Sequence, residues 1–122
     1  MATELKINKP ADPKNLTDLE KKHIPVISSP EAVAAGEPFN VTVHVGSILH
    51  VMEEKHYIEW VELYLNDKKI GKAEFSPKDE KAEAVFKVEA EKTLAGTEGK
   101  LRALEHCNVH GFWEEFTEIK IQ

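Results

Sequence analysis

The chain has 122 residues, of which 41% are hydrophobic and 31% charged, as is typical of one globular domain with its own core. Its formal net charge of −6 argues against nucleic acid as a partner. The sequence has no apolar run near the ~18 residues of a membrane span, and no basic start followed by an apolar stretch marks a secretory signal. We therefore expect one domain over residues 1–122, located in the cytoplasm, with neither nucleic acid nor membrane as a partner.

The N-terminal segment predicts an extended arm followed by a short helix. Residues 1–15 contain two helix-breaking prolines and few apolar side chains, which favours an arm. The next residues, Thr17 to Glu20, match a capping box, in which the side chains of a Ser or Thr and of a Glu three positions later satisfy each other's backbone N–H groups. One or two helical turns are therefore expected over residues 16–22.

The rest of the chain shows the alternation of apolar and polar residues that is typical of short β-strands. Apolar residues at every second position of 39–45 alternate with polar ones, which predicts a half-buried strand. An edge strand is expected at 23–27, because Pro25 lacks the N–H donor that a central strand needs. Loops are expected over 47–56 and between Gly96 and Gly99. The other expected strands lie at 57–65, 70–75, 82–89, 101–105 and 112–121. Seven or eight strands without a long helix between them predict an all-β fold, an antiparallel β-sandwich.

Cys107 is the only cysteine, so an internal disulfide is excluded. It can be an inert buried residue, a nucleophile, an intermolecular crosslink or a metal ligand. His110 follows three positions later, on an expected turn at a strand end. The spacing of His50 and His56 suits two ligands at the ends of a loop that bends around an ion. Two histidines in a surface loop without a metal would have the same spacing. With His23, one thiolate and four imidazoles can form a five-coordinate site for a redox metal.

The remaining histidines are expected to stay outside such a site. His44 lies on the polar face of its predicted strand, and His106 points away from Cys107 if the chain there is extended. Catalysis by a cysteine or serine nucleophile is less well supported, because the sequence has no Gly-x-Ser-x-Gly turn and no Gly-rich phosphate loop. A metal centre is the chemistry that the sequence supports best.

Three stretches together resemble a known family. They are Lys22-His23-Ile24-Pro25, the pair His50 and His56, and the run from Glu105 to Trp113 that reads Glu-His-Cys-Asn-Val-His-Gly-Phe-Trp. Over residues 17–122 the chain resembles superoxide reductase, and in particular the short one-iron form called neelaredoxin, which is related to the iron-binding domain of desulfoferrodoxin.

The resemblance implies a fold, a cofactor and an activity. The fold would be an immunoglobulin-like β-sandwich, and the cofactor would be one iron per chain that alternates between Fe²⁺ and Fe³⁺. The activity would be the one-electron reduction of superoxide to hydrogen peroxide without evolution of oxygen. The metal ligands would be His23, His50, His56, Cys107 and His110.

The same resemblance implies a catalytic residue and partners. Lys22 would act beside the open coordination position, where it holds the superoxide anion or a water molecule. Rubredoxin would be a typical electron donor, and the chain would assemble as a homotetramer. The alternative reading is a non-enzymatic immunoglobulin-like module that binds metal or another protein.

The sequence departs from the family pattern at one position that bears on the iron. Family members carry a glutamate directly before the lysine, and that glutamate binds ferric iron in the resting state. Here Lys21 occupies the position, and a lysine ammonium, whose ordinary pKa is about 10.4, does not bind a metal at neutral pH. We therefore expect a ferric state without a carboxylate ligand.

Overall fold

The computed structural model describes residues 6–122, which form two β-sheets, one short α-helix and a short 3-10 turn. No helix within this range is long and apolar enough to cross a membrane. The elements in chain order are β1 (Ile7–Asn8), α1 (Asp18–His23), β2 (Pro25–Ser28), β3 (Ala32–Val33), β4 (Pro38–Val45), β5 (Ile58–Leu65), β6 (Lys68–Glu74), β7 (Glu83–Glu89), the 3-10 turn (Lys92–Leu94), β8 (Thr97–Cys107) and β9 (Gly111–Ile121).

The strands form two sheets that enclose one core. The larger sheet has the order β1-β9-β8-β5-β6, and β3 also pairs with β9; the smaller sheet has the order β2-β4-β7. All pairings among the longer strands are antiparallel, whereas β1 and β3 run parallel to β9. The predicted β-sandwich is confirmed, and the predicted edge strand is β2 at the margin of the smaller sheet.

Alternation in the sequence determines which side chains enter the core. Val41, Val43 and Val45 of β4 are buried, while the residues between them are partly exposed. Side chains of a strand point to opposite faces in turn, so one face of β4 lies on the larger sheet. The same pattern in β5 and β8 supplies Val61, Leu63 and Leu101 from the other side. The core is therefore a single apolar layer between the sheets.

The structure corrects two boundaries. The expected loop between Gly96 and Gly99 is wrong, because β8 begins at Thr97; a Cβ atom at Gly99 would lie 3.0 Å from the Ile121 side chain, so the glycine permits close packing within the strand. His23 ends helix α1 rather than starting a strand. The capping box forms as predicted at Thr17 and Glu20, and the helix then continues to His23.

The N-terminal arm is paired rather than free where it is described. Residues 1–5 lie outside the described residues, so a single domain over 1–122 with an extended arm over 1–15 stays a prediction. Ile7 and Asn8 pair with Phe112 and Trp113 at the start of β9. This pairing brings the arm to the turn between β8 and β9.

Candidate metal centre

Four of the sequence-predicted ligands lie in one group at the end of the sandwich. The potential ligand atoms of His23, His56, Cys107 and His110 all lie within 4.8 Å of one another. The fifth, His50, joins them: its Nε2 is 3.1 Å from His23 Nε2 and 3.6 Å from Cys107 Sγ. Two nitrogens bound at ~2.1 Å to one ion at a right angle would stand about 3.0 Å apart. The spacing therefore fits shared coordination of one ion.

Three different pieces of backbone supply these side chains. Cys107 ends β8, and His110 lies on the tight turn that leads into β9. His23 is the last residue of α1. His50 and His56 belong to the long connection between β4 and β5, in which the described residues form one isolated bridge, between Glu53 and His56. The site is thus assembled by the fold from segments far apart in sequence.

Hydrogen bonds orient two of the imidazoles. His23 Nδ1 lies 2.7 Å from the carbonyl oxygen of Leu19, and His50 Nδ1 lies 2.6 Å from that of Val51. A carbonyl oxygen only accepts, so each Nδ1 carries the hydrogen and donates it. Each Nε2 is then left with a lone pair that faces the group. Backbone partners of this kind hold a metal-binding histidine in one tautomer and one orientation.

His56 and His110 present their nitrogens differently. His56 Nε2 is buried and has no hydrogen-bond partner. A buried polar atom without a partner is costly, and a metal ion at the centre of the group would remove that cost. In His110 it is Nδ1 that faces the sulfur, at 3.9 Å from Cys107 Sγ. The donor set therefore fits three imidazoles through Nε2, one through Nδ1, and a thiolate.

Burial favours the neutral form of His23, His50 and His56, which is the form that binds a metal. Loss of hydration lowers the pKa of His23 and His56, and it lowers the pKa of His50 to about 4. The proximity of the other histidines lowers all three pKa values further. These rings need not lose a proton before binding a cation at neutral pH.

Cys107 is fully buried, and burial raises the pKa of its thiol. The backbone N–H groups of Val109 and His110 oppose this shift, because they form hydrogen bonds to the sulfur that favour the thiolate. A coordinated cation would shift the balance decisively, since a thiol bound to a metal loses its proton. This turn is therefore shaped to receive a thiolate.

A glycine contact fixes helix α1 against the smaller sheet. A Cβ atom at Gly46 would lie 2.1 Å from the carbonyl oxygen of Lys21 and 2.7 Å from the carbonyl carbon of Lys22. The backbone after β4 thus touches the backbone of α1 directly, and Ile48 N–H donates to the same Lys21 oxygen at 3.3 Å. Any side chain at this position would displace the segment that carries Lys22 and His23.

Asn108 ties the His56 segment to the turn that carries Cys107. Its Oδ1 accepts the N–H of Tyr57 at 2.9 Å, and its Nδ2 donates to the carbonyl oxygen of Lys55 at 3.2 Å. The two bonds flank His56 on both sides. The backbone N–H of Asn108 also donates to the Tyr57 carbonyl at 3.3 Å.

The group opens into a cavity of about 380 Å³, which also includes Lys22 in its lining. Lys22 is exposed, so its charge can act on an anion that approaches the group. Lys21 lines a separate cavity beside Leu16 and Ile24. No carboxylate of residues 6–122 belongs to the metal-binding group.

The remaining histidines lie elsewhere. His44 Nδ1 contacts the carbonyl oxygen of Gly46 at 3.2 Å, and His106 Nδ1 is 2.6 Å from Glu59 Oε1. The ring of His106 also packs against Trp60 and Phe112. Neither histidine belongs to the group of potential ligands among the described residues.

Sequence reasoning missed three residues that support the site. Gly46 and Asn108 act through contacts with distant backbone, as does Asn8, whose side chain reaches the His110 carbonyl. Asn108 could have been suspected, because it lies inside the run from Glu105 to Trp113. No local signal marks Gly46 or Asn8.

Comparison with known proteins supports one family. Residues 15–116 match the family described as Desulfoferrodoxin. The chain is 40% identical over 102 residues to a desulfoferrodoxin of Desulfarculus baarsii. The aligned region covers 83% of this chain and 68% of the relative. The chain is also 34% identical over 110 residues to a superoxide reductase of Pyrococcus abyssi. This aligned region covers 82% of this chain and 89% of the relative.

A solved structure has the same fold. The superoxide reductase (neelaredoxin) from Ignicoccus hospitalis superposes with a TM-score of 0.72 at 36% identity, over 82% of this chain and 81% of that one. The expected immunoglobulin-like sandwich is thereby confirmed. Since the family match spans most of the sequence and includes every residue of the His/Cys group, the chain belongs to the desulfoferrodoxin family.

Proposed function

We propose that this chain is a superoxide reductase, which reduces superoxide to hydrogen peroxide by one electron at a mononuclear non-haem iron. The observation that carries the proposal is the convergence of four imidazoles and one buried cysteine sulfur beside a cavity with Lys22 in its lining. The relatives named superoxide reductase support the same activity. The reaction consumes one electron and two protons per superoxide and releases no oxygen.

The ligands of the iron would be His23, His50, His56, Cys107 and His110, with one iron per chain. Bound iron, alternating between Fe²⁺ and Fe³⁺, supplies the electron. Neutral imidazoles together with one soft thiolate suit ferrous iron, although such a set also binds other divalent ions. As a thiolate ligand, Cys107 would increase the electron density at the iron, which would favour release of peroxide. This proposal requires a redox-active metal, whereas the alternative, a non-enzymatic immunoglobulin-like module, does not.

Lys22 is the residue proposed to act on the substrate. Superoxide is an anion, and the ammonium of Lys22 supplies positive charge at the cavity of a chain whose net charge is −6. Positive charge at a site entrance raises the rate of anion capture, and salt screens the effect. Lys22 also holds the water that donates protons to the product.

The first experiment is metal analysis of the purified protein together with a visible spectrum before and after ascorbate. We expect about one iron per chain, from the single set of five ligands. A charge-transfer band of the oxidised protein should disappear on reduction. A colourless protein that holds zinc or no metal would support the non-enzymatic module instead.

The electron donor is proposed to be a small redox protein such as rubredoxin, which docks at the mouth of the site. Exposed apolar side chains that line the cavity or lie within two residues of a proposed ligand in sequence make a surface suited to a transient partner. They are Leu19, Ile48, Leu49, Val51 and Val109. Leu49→Glu should slow reduction by rubredoxin and leave reduction by ascorbate unchanged. The matched control is Val85→Glu in β7, because Val85 is 64% exposed and Leu49 is 62% exposed.

Two further proposals come from the sequence resemblance. A homotetramer is proposed, and light scattering of the purified protein tests it; a monomer in solution would contradict it. A cytoplasmic location stays a prediction, which fractionation of the source cells tests.

A further inference from the structure

Strand β1 contacts the metal-binding turn through Asn8. This residue lies outside the segment 15–116 that matches the family. Its side-chain Nδ2 donates to the carbonyl oxygen of His110 at 2.9 Å and to that of Phe112 at 3.1 Å. A side-chain amide nitrogen carries two hydrogens, so both bonds can form together.

The carbonyl oxygen of His110 is held by a second donor. Trp113 Nε1 donates to it at 3.2 Å, so both lone pairs of the oxygen have partners. The peptide group held in this way joins His110 to Gly111, and Gly111 has φ +82°. The ladder of β8 and β9 ends with the pair of Cys107 and Gly111, so His110 lies just beyond it and gains from partners outside the turn. Asn8 supplies the partner that comes from another segment of the chain.

The backbone at His110 controls the position of its ligand atom. The nitrogen that faces Cys107 Sγ is Nδ1, which lies closer to the main chain than Nε2. Only Cβ and Cγ separate Nδ1 from the main chain, so a shift of the His110 backbone would carry Nδ1 away from the group with little compensation by the side chain. The pairing of β1 with β9 places Asn8 directly opposite Trp113.

We propose that Asn8 is a positioning residue that holds His110 Nδ1 in the geometry of a metal ligand, so that the N-terminal strand is part of the metal site of this chain. The inference rests on the proposed ligand role of His110. Groups that orient metal ligands through hydrogen bonds contribute about 10–100-fold to metal affinity. An effect of about 10-fold is expected here, because Trp113 remains as the second donor.

The test uses Co²⁺ as the probe, since its visible spectrum reports both the thiolate and the geometry of the ligands. Asn8→Ala and Asn8→Asp are compared with the unchanged chain by chelator competition and by absorption. Asp has the shape of Asn but cannot donate to a carbonyl oxygen when ionised. The matched control is Asn15→Ala in the same arm, since the Asn15 side chain donates to exposed Asp12 and, within residues 6–122, bonds to no residue of the metal-binding turn.

We expect both Asn8 variants to bind Co²⁺ about 10-fold more weakly and with a shifted spectrum, while Asn15→Ala behaves as the unchanged chain. In a His110→Ala background, Asn8→Ala should cause no further loss, because the residue acts through His110. Unchanged affinity and spectrum in both Asn8 variants would overturn the inference, as would losses that add in the double variant. Failure of the unchanged chain to show a thiolate–cobalt band would overturn the proposed site as well.

Discussion

Apart from His23 on α1, the candidate metal centre has two halves, which are built in different ways. Cys107 and His110 lie on the turn between β8 and β9, which are each eleven residues long and pair along their whole length. His50 and His56 lie on the connection between β4 and β5. Within this connection the described residues form one isolated β-bridge and no longer strand pairing. One half is therefore an extension of the sheet, and the other depends on a few side-chain bonds.

This contrast shows how the site combines rigidity with access. Sheet-borne ligands are pre-organised by the ladder, so little conformational entropy remains to be lost on metal binding. Loop-borne ligands need ties to the rigid half, and Asn108 provides them on both sides of His56. The loop also carries exposed apolar side chains at the mouth of the cavity. Replacements in each half should therefore have different consequences.

The largest effect is expected in the sheet-borne half, from Cys107→Ser. The hydroxyl does not replace a soft thiolate as an iron ligand, so the visible charge-transfer band and the superoxide reductase activity should both be lost. Absorption and metal analysis check this outcome. His44→Ala is the control and should keep its iron. Retention of the band by Cys107→Ser would show that the sulfur is not a ligand.

A smaller effect is expected where the two halves are tied together. Asn108→Ala removes both side-chain bonds that flank His56, and we expect metal affinity to fall about 10-fold or more. Chelator competition measures the change. Asn40→Ala, on the exposed face of β4, is the matched control. Equal affinity of the two variants would mean that the loop keeps its geometry without Asn108.

Lys22→Glu tests the charge at the cavity rather than the ligands. The second-order rate of superoxide capture should fall about 10-fold and should rise with added salt instead of falling, because steering by exposed charge is screened. Lys22→Arg should have a mild effect. Lys87→Glu on β7 makes the same charge change at an exposed position in the smaller sheet. Pulse radiolysis across a range of salt compares them, and equal rates for the two glutamate variants would exclude the steering role.

The smallest effect on the rate is expected at Lys21. Lys21→Glu places an acid directly before Lys22, where the family resemblance implies one, and the visible band of the oxidised protein should shift with altered pH dependence. Reduction of superoxide should continue at a similar rate, because Lys22 and the five ligands are unchanged. Lys21→Met is the control for loss of charge alone. A glutamate variant whose spectrum matches that of Lys21→Met would contradict the prediction.

Patterns within short segments predicted most of the fold. The alternation in β4 and the capping box of α1 are local, so the sequence shows them directly. The start of β8 was missed because Gly99 reads as a turn residue, whereas its lack of a side chain serves packing against Ile121. The pairing of β1 with β9 joins residues about a hundred positions apart, which no local pattern reports.

The candidate site divides in the same way. Its chemical groups were readable because a single cysteine and widely spaced histidines are unusual and resemble a known arrangement. Their supports were not readable, because Gly46 and Asn8 act on backbone atoms of distant segments. A glycine or an asparagine in a loop has many possible roles, and its partner is known only once the chain is folded.

The most direct test of the account is the product stoichiometry of superoxide consumption in the presence of a reductant. Reduction at the proposed iron site predicts one hydrogen peroxide for each superoxide consumed and no evolution of oxygen. Dismutation would release one oxygen and one peroxide for every two superoxide ions consumed. Oxygen release in that proportion would contradict the proposed activity, even if all five residues were shown to bind the metal.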